Sequence, residues 1–235
     1  MIAVDLHVHT CYSFDANTSP DDLVLACRRA SIDCVAITDH GTMKGAFRMR
    51  DDGRVRVIMG QEVRTTHGEL IGLFLKEEIP GGLSPMETID RIKGQGGLVV
   101  IPHPLLRGPF SSTRAIGTGR GREFVPSPEV HKRNSLLTHE VVAAVDIVEV
   151  INSRSPFSST WEAVERFADA RGLPRSAGSD AHTPGEIGAA YVEMDDFADA
   201  TDFLRSLSKG RAFGRRTSPW LHVVSTLEKL RRNKC

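Results

Sequence analysis

Four cysteines in 235 residues, none in a Cys-x-x-Cys pair, are too few and too scattered for a zinc ribbon or a disulfide framework. Cys11, Cys27, Cys34 and Cys235 are therefore expected to be reduced, buried thiols of a cytoplasmic protein. No apolar stretch approaches the roughly 18 residues of a membrane span, and Asp5 and His7 stand where a signal peptide needs its apolar core. The expectation is a protein with no membrane partner. Net charge is missing as well: 30 Lys and Arg balance 30 Asp and Glu, so no global field argues for nucleic acid or membrane as an obligate partner. No linker-like stretch separates two cores, so residues 1–235 read as one domain with no obligate protein partner.

What the chain does have is six short apolar runs, each ending in polar residues of metal-ligand type. Ile2-Ala3-Val4 leads into Asp5-Leu6-His7-Val8-His9, Cys34 to Ile37 into Thr38-Asp39-His40, and Val55 to Met59 into Gly60-Gln61-Glu62. Leu98 to Ile101 leads into Pro102-His103-Pro104, Asp146 to Val150 passes through Glu149 to Asn152, and Ser176-Ala177 precedes Gly178-Ser179-Asp180-Ala181-His182. Short apolar runs of this kind read as buried parallel strands, and ligands at their carboxyl ends place a reactive site on one rim of a sheet or barrel. A lone buried histidine is usually a satisfied core residue; the recurrence at successive strand ends argues for a polynuclear metal site.

Helical patterns separate several of these runs. Ser19-Pro20-Asp21-Asp22 is a helix start, Ser84-Pro85-Met86-Glu87 has capping-box spacing, and Thr160-Trp161-Glu162 opens a third helix that ends at Gly172. Alternating strands and helices imply a parallel sheet, closed as a barrel. Glu69 to Leu75 follows Glu62 too closely for an intervening helix and is expected to pair antiparallel. Residues 105–135 form a long basic loop with Arg107, Arg114, Arg120, Arg122, Lys132 and Arg133, and an amphipathic helix is expected at about 219–233.

Asp5-Leu6-His7-Val8-His9-Thr10, Thr38-Asp39-His40, Pro102-His103-Pro104 and Ser179-Asp180-Ala181-His182 resemble the four ordered motifs of the polymerase and histidinol phosphatase (PHP) superfamily. The resemblance implies an α/β fold, a distorted seven-stranded TIM-like barrel with a site for two or three divalent ions (Mn, Fe or Zn), acting on phosphoesters. It also implies a division of ligands: His7, His9, Glu62 and Asp180 on one ion, Glu62 bridging to a second held by His103, and Asp15, His40 and His182 on a third. A bridging carboxylate suits Glu62, since its two oxygens serve cations about 3.5–4 Å apart. Glu69 departs from the family pattern, in which many relatives carry a histidine on the second metal. As a ligand it would favour Mn²⁺ or Fe²⁺ over Zn²⁺; as a non-ligand it is an exposed hairpin residue.

Further residues carry two readings each. Asp15 is either a ligand or the cap of the turn after strand one, and Asp39 either orients His40 or another ligand or caps a helix or turn. Glu149 and Asn152 match a Glu-x-x-Asn pattern of the relatives and are assigned to ordering water or substrate, with Asn152 as turn closure the alternative. Arg107 is the arginine placed to bind two phosphate oxygens, or a solvated loop residue. The expected activity is metal-dependent hydrolysis of small phosphomonoesters. The rivals are a nucleotide phosphodiesterase or exonuclease acting on nucleotides or short oligonucleotides, and a metal-stabilised binding module without turnover. Only Phe110 and Phe124 offer base platforms in the basic loop, which leans toward the small substrate.

Overall fold

The computed structural model describes residues 1–104, 138–155, 158–217 and 235. Arg107, the basic loop at 105–135 and the helix expected at 219–233 lie outside the described residues. Among the described residues, nine strands form one mixed sheet: β1 (Ile2–Val8), β2 (Cys34–Ile37), β3 (Arg56–Thr65), β4 (Gly68–Leu73), β5 (Leu98–Ile101), β6 (Ile147–Asn152), β7 (Arg175–Gly178), β8 (Ala190–Met194) and β9 (Arg211–Gly214). They lie in the order β7-β6-β5-β4-β3-β2-β1-β8-β9.

The expected strands are all present, and two more are added. β1, β2 and β3 run parallel, as do β5, β6 and β7, while β4 is inserted antiparallel to both β3 and β5. The sheet curls until β1 meets the end of β7: Val8 bridges Ala181, the His9 amide donates to the Ala181 carbonyl at 2.9 Å, and the Asp180 amide donates to the His7 carbonyl at 2.8 Å. The result is a nearly closed, barrel-like α/β sheet. β8 and β9 were not legible as strands because they flank β1 as an antiparallel extension, with half-buried residues and no ligand cluster at their ends.

Helices α1 (Pro20–Ala30), α2 (Lys44–Asp52), α3 (Pro85–Gly94), α4 (His139–Ala144), α5 (Ser158–Arg171) and α6 (Ala200–Leu207) cover the sheet. α1 and α3 begin where the capping residues indicate. Ser19 Oγ accepts from the Asp22 amide, and Ser84 and Glu87 close a reciprocal capping box, each satisfying amides that an uncapped helix leaves without partners. α5 starts two residues earlier than Thr160. Strand alternation divides the core: Cys34 and Ala36 join the larger apolar cluster, whereas Val35 and Ile37 pack with Leu23, Val24 and Cys27 of α1 and Met49 of α2.

One sequence expectation is corrected here. Cys11 and Cys235 are joined as a disulfide 224 residues apart, and only Cys27 and Cys34 are free, buried thiols. Chain separation carries no information about which cysteines meet in space, so spacing alone could not reveal the pair.

α6 is held by aromatic packing. Phe203 is fully buried, with its ring centroid 5.2 Å from Phe74 and 5.0 Å from Phe197 in edge-to-face arrangements. Phe203→Ala is expected to lower stability by about 3–5 kcal/mol through a cavity the neighbours cannot fill. Urea denaturation would read the shift, and a midpoint unchanged from wild type would refute this packing.

Candidate metal centre

Five imidazoles and several carboxylates converge at the ends of β1, β2, β3, β5 and the β7 extension. His7 lies in β1 and His9 directly after it, so the pleat sends both side chains to one side, where their Nε2 atoms stand 3.1 Å apart. Both face the same carboxylate oxygens: Glu62 Oε2 at 3.2 and 3.3 Å, and Asp180 Oδ1 at 3.6 and 3.3 Å. Glu62 Oε2 also faces His40 Nδ1 at 3.5 Å, while Oε1 faces His103 Nε2 at 3.1 Å. Glu62 thus divides its two oxygens between two sets of imidazoles. Asp15 Oδ2 lies 3.2 Å from His182 Nε2 and 3.5 Å from His40 Nε2.

These donor atoms form groups within 4.8 Å of one another: His7, His9 and Asp180; His7, Glu62 and His103; His9, His40 and His182; and His40, Glu62 and Glu69. The arrangement fits divalent ions. Two imidazole nitrogens facing one another and two carboxylates, all nearly dry, meet at a common point, where the carboxylates need positive charge from protons on the imidazoles or from a cation that takes their lone pairs.

Neighbouring groups fix which ring nitrogen faces inward. His7 Nδ1 donates to Glu149 Oε1 at 3.0 Å, leaving Nε2 as the lone-pair atom; His182 Nδ1 donates to the Asp180 carbonyl at 2.8 Å with the same effect. Glu149 Oε2 accepts from the His103 amide at 2.7 Å and from Asn152 Nδ2 at 3.0 Å, and Asn152 Nδ2 also reaches Asp180 Oδ2 at 3.3 Å. Glu149 and Asn152 therefore orient three of the candidate ligands. Asp39 serves the backbone: its carboxylate accepts from the Thr10 amide at 2.6 Å and Thr10 Oγ1 at 2.7 Å, fixing the turn after His9 and making no bond to His40.

Asp15 meets both of its readings, since Oδ1 accepts from Ser13 Oγ at 2.7 Å within the turn while Oδ2 faces the two histidines. Glu69 is not an exposed hairpin residue; it sits half-buried on β4 beside Glu62 and His40. Two candidate ligands have left-handed backbone, His103 with φ of 28° and Asp180 with φ of 53°, conformations unfavourable for residues with a Cβ and shared among the described residues by Ser31 and Phe74 outside the cluster.

Several supporting residues carried no assignment in the sequence. Asp5 is fully buried and closes the β1/β7 seam, accepting from the Ser179 and Gly188 amides at 2.9 Å each and from the His7 amide at 3.3 Å. Burial raises its pKa to about 6 against the pull of those amides. Gly178 is required by contact: a Cβ there would overlap the His7 Cβ and lie 2.7 Å from Glu149 Oε1. Its position two residues before Asp180 was the only signal.

Electrostatics follow the clustering. Burial opposes charging of His9 and His103, yet the carboxylates outweigh it, Asp180 and Glu62 for His9 and Glu62 foremost for His103, raising them to about 10 and about 9. Burial likewise opposes ionisation of Glu62 and Asp180, and the histidines overcome it, holding both carboxyls well below the usual range. Burial and the neighbouring Glu62 push Glu69 up.

Comparison with known proteins gives the following. The PHP domain matches residues 5–153, and a PHP-associated region matches residues 162–212. One uncharacterized protein of Methanocaldococcus jannaschii is 34% identical over 195 residues, covering 82% of this chain and 70% of the relative. A second from the same organism is 44% identical over 113 residues, covering 43% of this chain; the match spans 66% of that relative, just under two thirds of its length. Among solved structures, a two-domain protein from Bacteroides vulgatus, described as containing a predicted PHP-like metal-dependent phosphoesterase, aligns with a TM-score of 0.67 at 17% identity, over 97% of this chain and 69% of that one.

Two outcomes are expected. Gly178→Ala should displace His7 and Glu149 and weaken Mn²⁺ binding by roughly 10–100-fold, as loss of an orienting partner does; titration calorimetry giving a wild-type isotherm would exclude this. In metal-free protein, the raised pKa values of His9 and His103 contribute stability that is complete below their unfolded value of about 6.5 and is lost as pH rises through about 9–10. The metal-free Tm should therefore fall between pH 7 and 10, whereas Mn²⁺ affinity should rise over the same range as protons cease to compete.

Proposed function

Because the chain belongs to the PHP domain family, we propose that it is a metal-dependent phosphoesterase acting on small phosphomonoesters. The observation that carries the reading is the division of Glu62 between two sets of imidazoles, which suits a carboxylate shared by two cations. The description of the Bacteroides vulgatus protein as PHP-like and phosphoesterase-containing supports it. His7, His9, Glu62 and Asp180 would hold one ion, Glu62 and His103 a second, and Asp15, His40 and His182 a third. Glu69 stands where it would add a carboxylate and favour Mn²⁺ or Fe²⁺ over Zn²⁺.

When bound, divalent ions supply Lewis acidity toward phosphoryl oxygens and bring the pKa of water toward neutrality. The chain's own residues do the rest. Glu149 keeps His7 Nε2 directed inward and anchors the His103 amide, and Asn152 holds Asp180 against the same carboxylate. Burial of His7, His9, Glu62 and Asp180 excludes bulk water, so charges gathered there act at low dielectric. No covalent intermediate on the protein is needed. Arg107, outside the described residues, keeps only its assignment from the sequence, a guanidinium suited to two phosphate oxygens.

A nucleotide phosphodiester is the second reading, favoured by one observation. The Phe14 ring is 73% exposed and packs 5.2 Å from the His40 ring, at the edge of the cluster where a base could stack.

Hydrolysis of p-nitrophenyl phosphate and bis-p-nitrophenyl phosphate by Mn²⁺-reconstituted protein separates these readings. Preference for the monoester is expected, with Asp180→Ala lowering turnover by more than the roughly 100-fold that loss of a supporting partner costs. Diester preference would select the nucleotide reading. Binding of Mn²⁺ without turnover of either ester would select a binding module, and full turnover by the variant would overturn the assignment of Asp180.

A further inference from the structure

Away from the candidate ligands, the Glu186 carboxylate, in the 3-10 turn Pro184–Glu186, is buried completely without belonging to the cluster. Its Oε2 accepts from the His182 amide at 3.0 Å, the Thr183 amide at 2.9 Å and Thr183 Oγ1 at 3.1 Å. Its Oε1 accepts from Arg154 Nε at 3.0 Å, and the Arg154 side chain is only 11% exposed. Arg154 in turn belongs to the loop after β6, where its amide donates to Asn152 Oδ1 at 3.0 Å. The His182 carbonyl accepts from the Asn17 amide at 3.0 Å, so the Asp15 turn is docked on the same segment.

We infer that Glu186, braced by Arg154, is a positioning residue that holds His182 and the Asp15 turn together as one cation subsite. This rests on the reading of Asp15, His40 and His182 as ligands of a third ion. His182 lies one residue past Ala181, the last residue bridged to β1, and its own amide is taken by Glu186 instead of by a neighbouring strand. The other candidate ligands have different supports: His7 and Glu62 lie in strands, His9 and Asp180 are tied by the β1/β7 seam, and the His103 amide is held by Glu149. Removing the Glu186 contacts therefore loosens one subsite and leaves the others in place.

The chemistry requires a carboxylate. One oxygen of Glu186 takes three donors and the other takes the guanidinium, so all four contacts need acceptors on both sides. A glutamine offers a single acceptor oxygen, and its amide group would set donor against donor either at the His182–Thr183 backbone or at Arg154. Glu186→Gln thus breaks the clamp with almost no change in volume. Arg154→Lys keeps the charge while losing the planar Nε–H, and provides a second, milder variant.

The test is calorimetric titration of metal-free full-length protein with Mn²⁺, beside activity on p-nitrophenyl phosphate at rising Mn²⁺. Glu186→Gln is expected to weaken the weakest class of Mn²⁺ sites by at least about 10-fold with the tighter classes unchanged. Activity should recover at high Mn²⁺ with KM for the ester unaltered, and Arg154→Lys should show the same selective loss to a smaller degree. An unchanged isotherm, uniform weakening of every class, a wild type lacking the weakest class, or loss of fold in both variants would overturn the inference. Wild-type protein that binds and hydrolyses while Glu186→Gln matches it refutes the clamp alone; wild-type protein that binds no Mn²⁺ refutes the phosphoesterase reading with it.

Discussion

Glu62 shares one buried carboxylate among His7, His9, His40 and His103, and the rest of the centre is arranged to make that sharing tolerable. A carboxylate taken out of water needs compensating positive charge, and so do the imidazole lone pairs turned toward it. In the metal-free chain that charge comes from protons, which is why the carboxylates raise His9 and His103. Divalent ions meet the same need without protons, since they accept the lone pairs that the protons would otherwise occupy. The nearly closed sheet exists in a form that brings these groups together: only a curled sheet lets the end of β7 deliver Asp180 and His182 beside His7 and His9.

Support beneath the ligands is as specific as the ligands themselves. Glu149 reaches His7 with one oxygen and the His103 amide with the other, so a residue on β6 ties β1 to the turn after β5. Asp5 performs a similar service at the barrel seam, and Gly178 leaves the space in which His7 and Glu149 meet. The left-handed backbone at His103 and Asp180 is consistent with this: two candidate ligands adopt unfavourable φ values because amide and side-chain contacts from neighbouring strands hold them there.

Arg154, Glu186 and His182 extend the same logic beyond the strands. Candidate ligands within strands are positioned by the sheet; the His103 amide is held by Glu149, and the His182 amide by Glu186 with its Arg154 partner. Thr183-Pro184-Gly185-Glu186 has the Thr-x-x-Glu spacing of a capping box, a local signal for this turn carried by the chain itself. Phe14, beside His40 at the rim, places an exposed ring next to this buried centre.

Much of this was legible from residues alone, for physical reasons that differ by element. The helix starts at Ser19 and Ser84 are local, set by side chains bonding to amides three residues away, and the structure has them where the spacing says. The strands bearing clusters were readable because burial on both faces leaves continuous apolar runs that end abruptly in polar residues. β4 was readable because a gap too short for a helix forces antiparallel return. β8, β9 and the Cys11–Cys235 pair were not, because these two strands are only partly buried and end in no ligand cluster, and a disulfide over 224 residues has no local signature. The sequence by itself determined the types of candidate ligand, the motif order and hence the family. Tertiary structure alone decided which oxygen of Glu62 faces which histidine, that Glu69 lies inside the cluster, that Asp39 serves the backbone, and that Glu186 stands behind His182. Those are relations between distant segments, created when the sheet closes, and no spacing along the chain encodes them.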